Sequence, residues 1–537
     1  MGSIFRIVSH KLFLVFSFIT ILLPSLVLSL DEYIDPFTFH TVGLAQIYYR
    51  EGNYFPYPIV EGFGWQSTAN EISFRFVPIL FQLILSQITG ISLWHLLFWP
   101  IIGFIFPIIA YLFCKNLQQQ TTIAVIYAVT ISYSFFFINL FYISVGMLFF
   151  LVFIFVLLKF LNFGQFKKIY VGLLLFIFII IYFTYYTAEL LALSYLTSVL
   201  FIPWFLEKFG IKTHKLKLHS LLFSFIVIFI GFERVIYQFF EMMSIEKGLN
   251  LFYSYVNYVL NLLRKGTEAV FEYRPHIGIP LVVYIDYIQQ IIIWGSIAIY
   301  LLYIIIRTKI IKKDSAVLTL KGLVLLAFFT AGISETLIYL LVGYGIYTRT
   351  LSLFSPLLAL YSLNKFYVMF YKLKKKILNI VIIIIILFIV SASIVKFALR
   401  VSDPLNPNGA RLHSKMKITI SWVAFYTTNR VVIADLRIIG QTFFELINEE
   451  KVNSIKLIRM GSEVRYLYSF SNETVNKVFR ERNTLFILSY EFKERFFIAG
   501  EAWRLSPPLK EAFSFLDYYT LINRVFDDGQ GIVYDYS

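Results

Sequence analysis

The sequence has little charge, a single cysteine and none of the common short motifs of nucleotide, metal or nucleophile sites. Charged residues make up 15% of the 537 residues, well below the usual share of soluble globular domains. The one cysteine, Cys114, excludes an intrachain disulfide. No P-loop, GxGxxG, CxxC, HExxH or GxSxG pattern occurs in a fitting context. These absences argue against a nucleotide-driven pump and against a haem protein.

Apolar residues dominate what is present. The chain is 59% hydrophobic and 19% aromatic, with a mean hydropathy of +0.75. Apolar runs of about twenty residues recur along it, and only a helix satisfies its own backbone inside hydrocarbon. We therefore predict a polytopic α-helical membrane protein with about eleven spans. The runs lie at Leu12–Leu30 and at roughly 94–113, 121–140, 142–160, 169–184, 188–206, 219–236, 286–306, 317–341, 347–364 and 377–396.

The net charge of +15 sits mainly in short loops between the apolar runs, which is the positive-inside pattern and not a nucleic-acid surface. Four such loops lie on the same side of the membrane as Lys11 only if Ile72–Ile91 does not cross the membrane. We therefore predict that this segment lies in the outer interface. The N-terminus is then cytoplasmic and the C-terminus outside. The four loops contain Lys159, Lys167 and Lys168; Lys208, Lys212, Lys215 and Lys217; Arg307, Lys309, Lys312 and Lys313; and Lys365, Lys372, Lys374, Lys375 and Lys376.

The organisation that follows is a membrane domain over 1–400 and an extracytoplasmic α/β domain over 401–537. Long outer segments are predicted at 31–93 and 234–286. Residues 1–30 also have features of a secretory signal, but cleavage would leave Asp31 untethered, so we favour an uncleaved helix. In the C-terminal domain the pattern predicts strands at Val431–Asp435, Ser454–Met460 and Thr484–Ser489, a helix at Thr442–Glu450, and a hairpin at Val525–Tyr534 around Asp528-Gly529.

The most informative stretch is 31–40, which follows the first apolar run without a linker. Two aspartates, a glutamate and a histidine emerge where a membrane helix meets water, and acids at that depth carry a desolvation cost. An enzyme that activates an acceptor against a lipid-linked donor needs a carboxylate at that level. The alternative interpretation is a solvated helix end.

This layout resembles the multi-spanning GT-C glycosyltransferases, which include protein O-mannosyltransferases, aminoarabinose transferases and oligosaccharyltransferase catalytic subunits. Archaeal members look closest. Asp31-Glu32 resembles an acidic pair of the mannosyltransferases, and Asp35-Pro36 followed by Phe39-His40 resembles an Asp-Pro…His motif, with one extra residue of spacing. Residues 47–58 resemble the interfacial helix and Tyr-Pro turn of archaeal members.

Two motifs of the oligosaccharyltransferases are missing. The outer loop between the third and fourth spans, Asn139–Ser144, contains no acid, and no Trp-Trp-Asp-type motif occurs in the soluble domain. The resemblance therefore implies a metal-independent transfer from a polyprenyl-phosphate sugar, with no cofactor. A divalent metal ion is not supported by these residues.

The resemblance implies roles for nine residues. Asp35 is the first choice for the catalytic base and Asp31 the alternative, since the acceptor hydroxyl needs a base within hydrogen-bond reach. Arg349 resembles the arginine near the lipid phosphate, and guanidinium suits an anionic leaving group. The remaining candidates for contact with substrate are Glu32, His40, Tyr57, Glu189, Arg274 and His276.

The function expected is thus an inverting membrane glycosyltransferase at the outer membrane face. Its partners are a polyprenyl-phosphate sugar, a glycan, protein or lipid acceptor, and membrane lipids, without nucleic acid. The main alternative is a transporter or flippase of a lipid-linked or small substrate. Such a protein places ionisable residues near the middle of its helices and often contains inverted repeats. Here the acids gather at one membrane face, and no repeat is visible.

Overall fold

The structure is a computed structural model, which describes the chain in separate segments. The described residues are 17–27, 33–34, 36–51, 76–96, 101–118, 121–133, 142–162, 167–184, 186–208, 280–309, 348–402, 410–411, 416–434, 455–459, 483–489, 522–529 and 531–536, with the single positions 226, 253, 260, 326, 327, 330, 331, 333, 438, 442 and 445. The predicted spans at 219–236 and 317–341 lie mostly outside these residues.

Among the described residues, helices lie at nine of the eleven predicted spans. Three of the described helices contain segments long and apolar enough to cross a membrane, namely Ser144–Leu161, Tyr284–Tyr303 and Lys376–Leu399. The chain is therefore a mostly helical membrane protein. The helices of this part are α1 Ser17–Val27, α5 Ile101–Gln118, α6 Thr121–Ser132, α7 Tyr142–Asn162, α8 Lys167–Tyr182, α9 Tyr186–Lys208, α10 Pro280–Lys309, α11 Thr348–Lys372 and α12 Lys376–Ser402.

Most of the described helices of the bundle form two packed groups. In the first group α7 packs against α5, α8 and α9, and α5 packs against α6. In the second group α10, α11 and α12 pack against one another. Helix α6 contacts both α11 and α12 and so joins the groups. Large buried rings fill the first group, where the ring of Phe150 meets that of Tyr195 edge to face at 6.4 Å between centroids.

A polar seam fixes α10 against α12. Gln289 Nε2 donates hydrogen bonds to the carbonyl oxygen of Ile389 at 2.7 Å and to Ser393 Oγ at 2.8 Å. One turn further along, Lys396 Nζ donates to Asp286 Oδ1 at 2.5 Å. Polar groups between apolar helices are costly unless they are satisfied, so these contacts set the register of the two helices. They also fix the orientation of α12, whose end leads to the C-terminal segment.

Between α1 and α5, the described residues form four short elements, which belong mainly to the predicted first outer segment. They are β1 Tyr33–Ile34, α2 Pro36–Glu51, α3 Phe76–Thr89 and α4 Leu93–Leu96. Helix α3 has 14 residues. At 1.5 Å per residue it is about 21 Å long, shorter than the roughly 30 Å of hydrocarbon in a bilayer. Helix α6, which lies in a predicted span, is shorter still at 12 residues. Length therefore does not decide whether Ile72–Ile91 crosses the membrane, and its location in the outer interface stays a prediction.

The C-terminal segment contains a five-stranded mixed sheet with strand order β4-β3-β5-β7-β6. Strand β3 is parallel to β4 and β5, whereas β7 is antiparallel to β5 and β6. The three predicted strands and the Asp-Gly hairpin are confirmed, and Gly529 in the hairpin turn has a φ of 76°. The bounds are β2 Ala410–Arg411, α13 Lys417–Tyr426, β3 Arg430–Ala434, β4 Ile455–Arg459, β5 Thr484–Ser489, β6 Ile522–Asp527 and β7 Gly531–Tyr536.

Helix α13 has no counterpart among the sequence predictions. Of the predicted helix Thr442–Glu450, the described residues Thr442 and Glu445 are helical. Helix α12 continues to Ser402, two residues beyond the predicted domain boundary, and α10 begins at Pro280, before the predicted start at 286.

One face of the sheet is covered by α2, α3 and α13, which we call the helix layer. Val432, Leu485 and Val533 lie on that face of β3, β5 and β7. Their core partners are Leu44, Ala45, Ile47 and Tyr48 of α2, Ile79 and Leu83 of α3, and Ile420, Val423 and Ala424 of α13 with the adjacent Met416. The first outer segment and the C-terminal sheet therefore share one hydrophobic core.

Gly531 of the hairpin lies close against Thr419 of α13 and the adjacent Met416. A Cβ atom at this position would lie 2.4 Å from Thr419 Oγ1 and 2.8 Å from the Met416 methyl carbon. We expect Gly531→Ala to destabilise the C-terminal domain by about 1–3 kcal/mol, because both neighbours are buried and must move. Thermal unfolding in detergent measures the effect. Gly295→Ala, in α10 with no atom within 4 Å of the new methyl, is the matched control. An unchanged melting temperature for Gly531→Ala would contradict the tight contact.

Candidate active site

Strand β1 holds the start of the first outer segment against the start of the C-terminal segment. It pairs antiparallel with β2, with Tyr33 opposite Arg411 and Ile34 opposite Ala410. Asp31-Glu32 precede β1 directly and Asp35 follows it, and these three acids lie outside the described residues. The acidic stretch thus flanks the point where two distant parts of the chain are joined by backbone hydrogen bonds.

Helix α2 begins at Pro36, directly after Asp35. Proline is favoured at the first position of a helix, and aspartate is favoured just before it because its carboxylate accepts hydrogen bonds from free N–H groups. A helix start therefore accounts for the Asp35-Pro36 pair independently of any chemistry. His40 is the fifth residue of α2. Its backbone is helical.

A buried polar contact joins α2 to α3 beside His40. Gln82 Nε2 donates to Thr41 Oγ1 at 3.4 Å, and both side chains are buried. Gln82 Oε1 is buried and has no hydrogen-bond partner among the described residues. The pair fixes the rotation of α2 about its axis and hence the backbone position of His40. Sequence reasoning did not assign Gln82 to the site, although a glutamine inside a short apolar helix is a signal for such a contact.

The start of α3 reaches the turn between α8 and α9. The backbone N–H of Val77 donates to the carbonyl oxygen of Phe183 at 3.4 Å. Glu189 lies beyond this turn, in the first turn of α9, and its side chain is fully buried. A carboxylate is favoured at a helix N-terminus, but burying one is costly without compensating partners. The structure therefore brings Glu189 to the end of the bundle that contacts the first outer segment.

The candidate phosphate ligand Arg349 is described through its backbone. Arg349 is the second residue of α11, which packs against α6, α10 and α12. Its backbone is helical. Tyr57, Arg274 and His276 lie outside the described residues. Of the predicted site residues, the structure thus gives the surroundings of Glu189 and the backbone positions of His40 and Arg349.

Within the described segments, no group of three or more His, Cys, Asp or Glu side chains could hold a metal ion. Asp31, Glu32 and Asp35 lie outside these segments. Metal independence accordingly stays a prediction from the sequence.

The architecture has a counterpart among solved structures. Neither a protein-family model nor a curated protein matches the chain. The oligosaccharyltransferase of Archaeoglobus fulgidus, solved with a tethered acceptor peptide containing an NVT sequon, matches over 97% of this chain and 74% of its own. The TM-score is 0.53 and the sequence identity 12%. The chain has a GT-C-like fold.

This likeness shows the fold alone, because so low an identity says little about individual residues. Its extent still matters, since 97% of this chain takes part and the match includes both the membrane helices and the C-terminal sheet. The predicted resemblance to GT-C proteins is confirmed at that level.

Proposed function

We propose that this chain is a membrane glycosyltransferase that transfers a sugar from a polyprenyl-phosphate donor to an acceptor at the outer membrane face. The observation that carries the proposal is the GT-C-like fold over nearly the whole chain. The acidic stretch supports it, because Asp31 and Asp35 flank β1 at the first exit of the chain from the bundle. A transporter has no need for carboxylates at such a junction.

On the acceptor side, a carboxylate acts as general base. Asp35 takes the proton of the acceptor hydroxyl while the oxygen forms a bond to the anomeric carbon of the sugar. Asp31 is the alternative base. Attack occurs on the face opposite the leaving phosphate, so the anomeric configuration inverts. The bond between the anomeric carbon and the phosphate oxygen breaks, and the electron pair stays on the phosphate.

On the donor side, fixed positive charge stabilises the departing phosphate. Arg349 at the N-terminus of α11 supplies a guanidinium whose paired donors match phosphate oxygens. Arg274 and His276 are the second choice. The leaving group is already an anion, so neither an acid nor a metal ion is required for its departure. No cofactor takes part in the proposed reaction.

The other residues orient the substrates. His40 holds the base or contacts the acceptor, and Tyr57 stacks on a sugar ring. Glu32 and Glu189 accept hydrogen bonds from sugar hydroxyls. Glu189 has support from the structure for its general location, because α3 of the first outer segment meets the turn that precedes α9.

A transfer assay tests the proposed function directly. Purified protein in lipid nanodiscs is incubated with polyprenyl-phosphate sugars and candidate acceptors, and both the released polyprenyl phosphate and the glycosylated product are measured. A transferase yields both products in equal amounts. Movement of intact donor between the leaflets of a proteoliposome, without release of polyprenyl phosphate, would instead identify a flippase.

The proposed topology has its own test. Thr428 is exposed just after α13, and Lys375 is exposed between α11 and α12. We expect a membrane-impermeant maleimide to label Thr428→Cys in intact cells, and to label Lys375→Cys only after permeabilisation. The native Cys114 is buried and contributes little background. The reverse labelling pattern would place the C-terminal sheet in the cytoplasm and contradict the positive-inside assignment.

A further inference from the structure

Helix α13 is apolar on two opposite sides. One side packs into the sheet through Ile420 and Val423. On the other side, Ile418, Phe425 and Tyr426 are 64%, 60% and 66% exposed. A ten-residue helix in a water-surrounded domain normally buries one face and presents charge on the other. The exposed apolar side of α13 therefore needs a covering partner.

Aromatic contacts hold this exposed side in a fixed shape. The Trp422 ring stacks on Phe526 with 4.9 Å between centroids and lies 5.4 Å from the ring of Tyr426. The rings of Tyr426 and Phe425 meet edge to face at 5.0 Å. The rings thus form a continuous surface that runs from the hairpin strand β6 to the end of α13.

The direction of this surface follows from the helix layer. Helices α2 and α3, which belong to the segment between α1 and α5, cover the same sheet face as α13. The N–H of Val77 at the start of α3 is hydrogen-bonded to Phe183, just past the end of α8. The helix layer is therefore the side of the C-terminal domain that is next to the ends of the membrane helices. The outward side of α13 faces away from the sheet, on the helix-layer side of the domain.

Helix α3 repeats the pattern. Its buried side chains Ile79 and Leu83 face the shared core, whereas Ile84 and Ile88 are 50% and 78% exposed. Two helices of one layer thus have apolar residues on exposed sides as well as in the core. Exposed apolar residues on two helices of one layer suit contact with an extended surface better than contact with a small ligand.

We propose that the exposed side of α13, formed by Ile418, Phe425 and Tyr426 with the half-buried Trp422 beside them, inserts into the headgroup region of the outer leaflet. Tryptophan and tyrosine are the residues enriched at membrane interfaces, because each combines an apolar ring with a polar group. Exposed Lys417 at the start of the helix suits contact with lipid phosphates. At about 15 Å, the helix is too short to span, so it lies in the interface. This inference does not depend on the proposed transfer reaction.

Quenching by brominated lipids tests the insertion. A bimane fluorophore is attached at Phe425→Cys in full-length protein carrying Cys114→Ala, reconstituted in nanodiscs with and without lipids brominated near the top of the acyl chain. Arg524→Cys is the matched control, since Arg524 pairs with Tyr534 on the sheet face opposite the helix layer. Ile418→Cys provides a second reporter on the same side of α13 if Phe425→Cys does not fold.

We expect bromine to quench the reporters on α13 about twofold or more relative to the control, as for interfacial helices. Equal quenching at both places, or no quenching on α13, overturns the proposal. An α13 reporter that is insensitive to bromine but responds to added oligosaccharide would assign the rings to sugar stacking instead. A response to protein concentration alone would assign them to contact between copies of the chain.

Discussion

Sugar transfer should be abolished by Asp35→Asn, while donor binding and folding remain intact. Removal of a positioned general base typically costs ~10²–10⁴-fold in rate. Asparagine keeps the shape of aspartate and is as good a residue before a helix start, so α2 should still begin at Pro36. The loss then reports basicity and not a displaced helix. Turnover of polyprenyl-phosphate sugar and equilibrium binding of a non-transferable donor analogue are the two measurements.

Asp31→Asn is the matched variant on the other side of β1. If Asp31→Asn is inactive and Asp35→Asn is nearly normal, Asp31 is the base. Asp35→Ala tests the second role of Asp35, which is to cap the start of α2. Alanine removes capping as well as basicity, so this variant should be less stable than Asp35→Asn by about 1 kcal/mol. Full activity in both asparagine variants would remove the acidic stretch from the mechanism and leave the glycosyltransferase proposal with the fold alone.

Donor affinity should fall strongly in Arg349→Ala and recover only in part in Arg349→Lys. Loss of a desolvated charge partner costs about 2–5 kcal/mol, which is roughly 30-fold to several thousand-fold in Kd. Lysine restores the charge but not the paired donors of guanidinium. Binding of a fluorescent polyprenyl-phosphate sugar to protein in nanodiscs measures the change.

Lys372→Ala is the control for this series, because Lys372 is exposed at the other end of α11. Its removal should leave donor binding unchanged. A small, equal effect of Arg349→Ala and Lys372→Ala would show that Arg349 is an ordinary interfacial arginine. The test of Arg274 and His276 as phosphate ligands would then take priority.

The local sequence pattern was sufficient to predict much of the C-terminal fold. The run Val431–Ala434 is continuously apolar because β3 lies between two parallel neighbours and is covered on both faces, which is the sequence signature of a central strand. The hairpin around Gly529 follows from a backbone conformation that glycine adopts without strain.

Helix α13 was missed because its local pattern is ambiguous. The alternation Ile418-Thr419-Ile420 with several aromatic residues favours a strand on propensity alone. The helix forms because Ile420, Val423 and Ala424 are spaced to cover one sheet face. The strands of that sheet are distributed along the chain, so no local stretch of sequence shows the face that α13 covers. Tertiary packing therefore decides that this segment is a helix.

The site was predictable as a list of residues but not as an arrangement. The acidic stretch could be identified from its position after the first apolar run. Its pairing with β2 and the contact of α3 with Phe183 are long-range, and sequence periodicity carries no information about them. The burial of Glu189 also depends on long-range contacts, because the helices that pack around α9 determine it.

The pairing of β1 with β2 also has a consequence for biosynthesis. A membrane chain emerges from the ribosome N-terminus first, so Tyr33 leaves the ribosome long before Arg411 is made. Until the C-terminal sheet has been translated and folded, α2 and α3 lack most of the core they pack against. Formation of these non-local contacts is slow compared with helix insertion. The pairing of β1 with β2, which the acidic stretch flanks in sequence, therefore forms only in the last stage of synthesis.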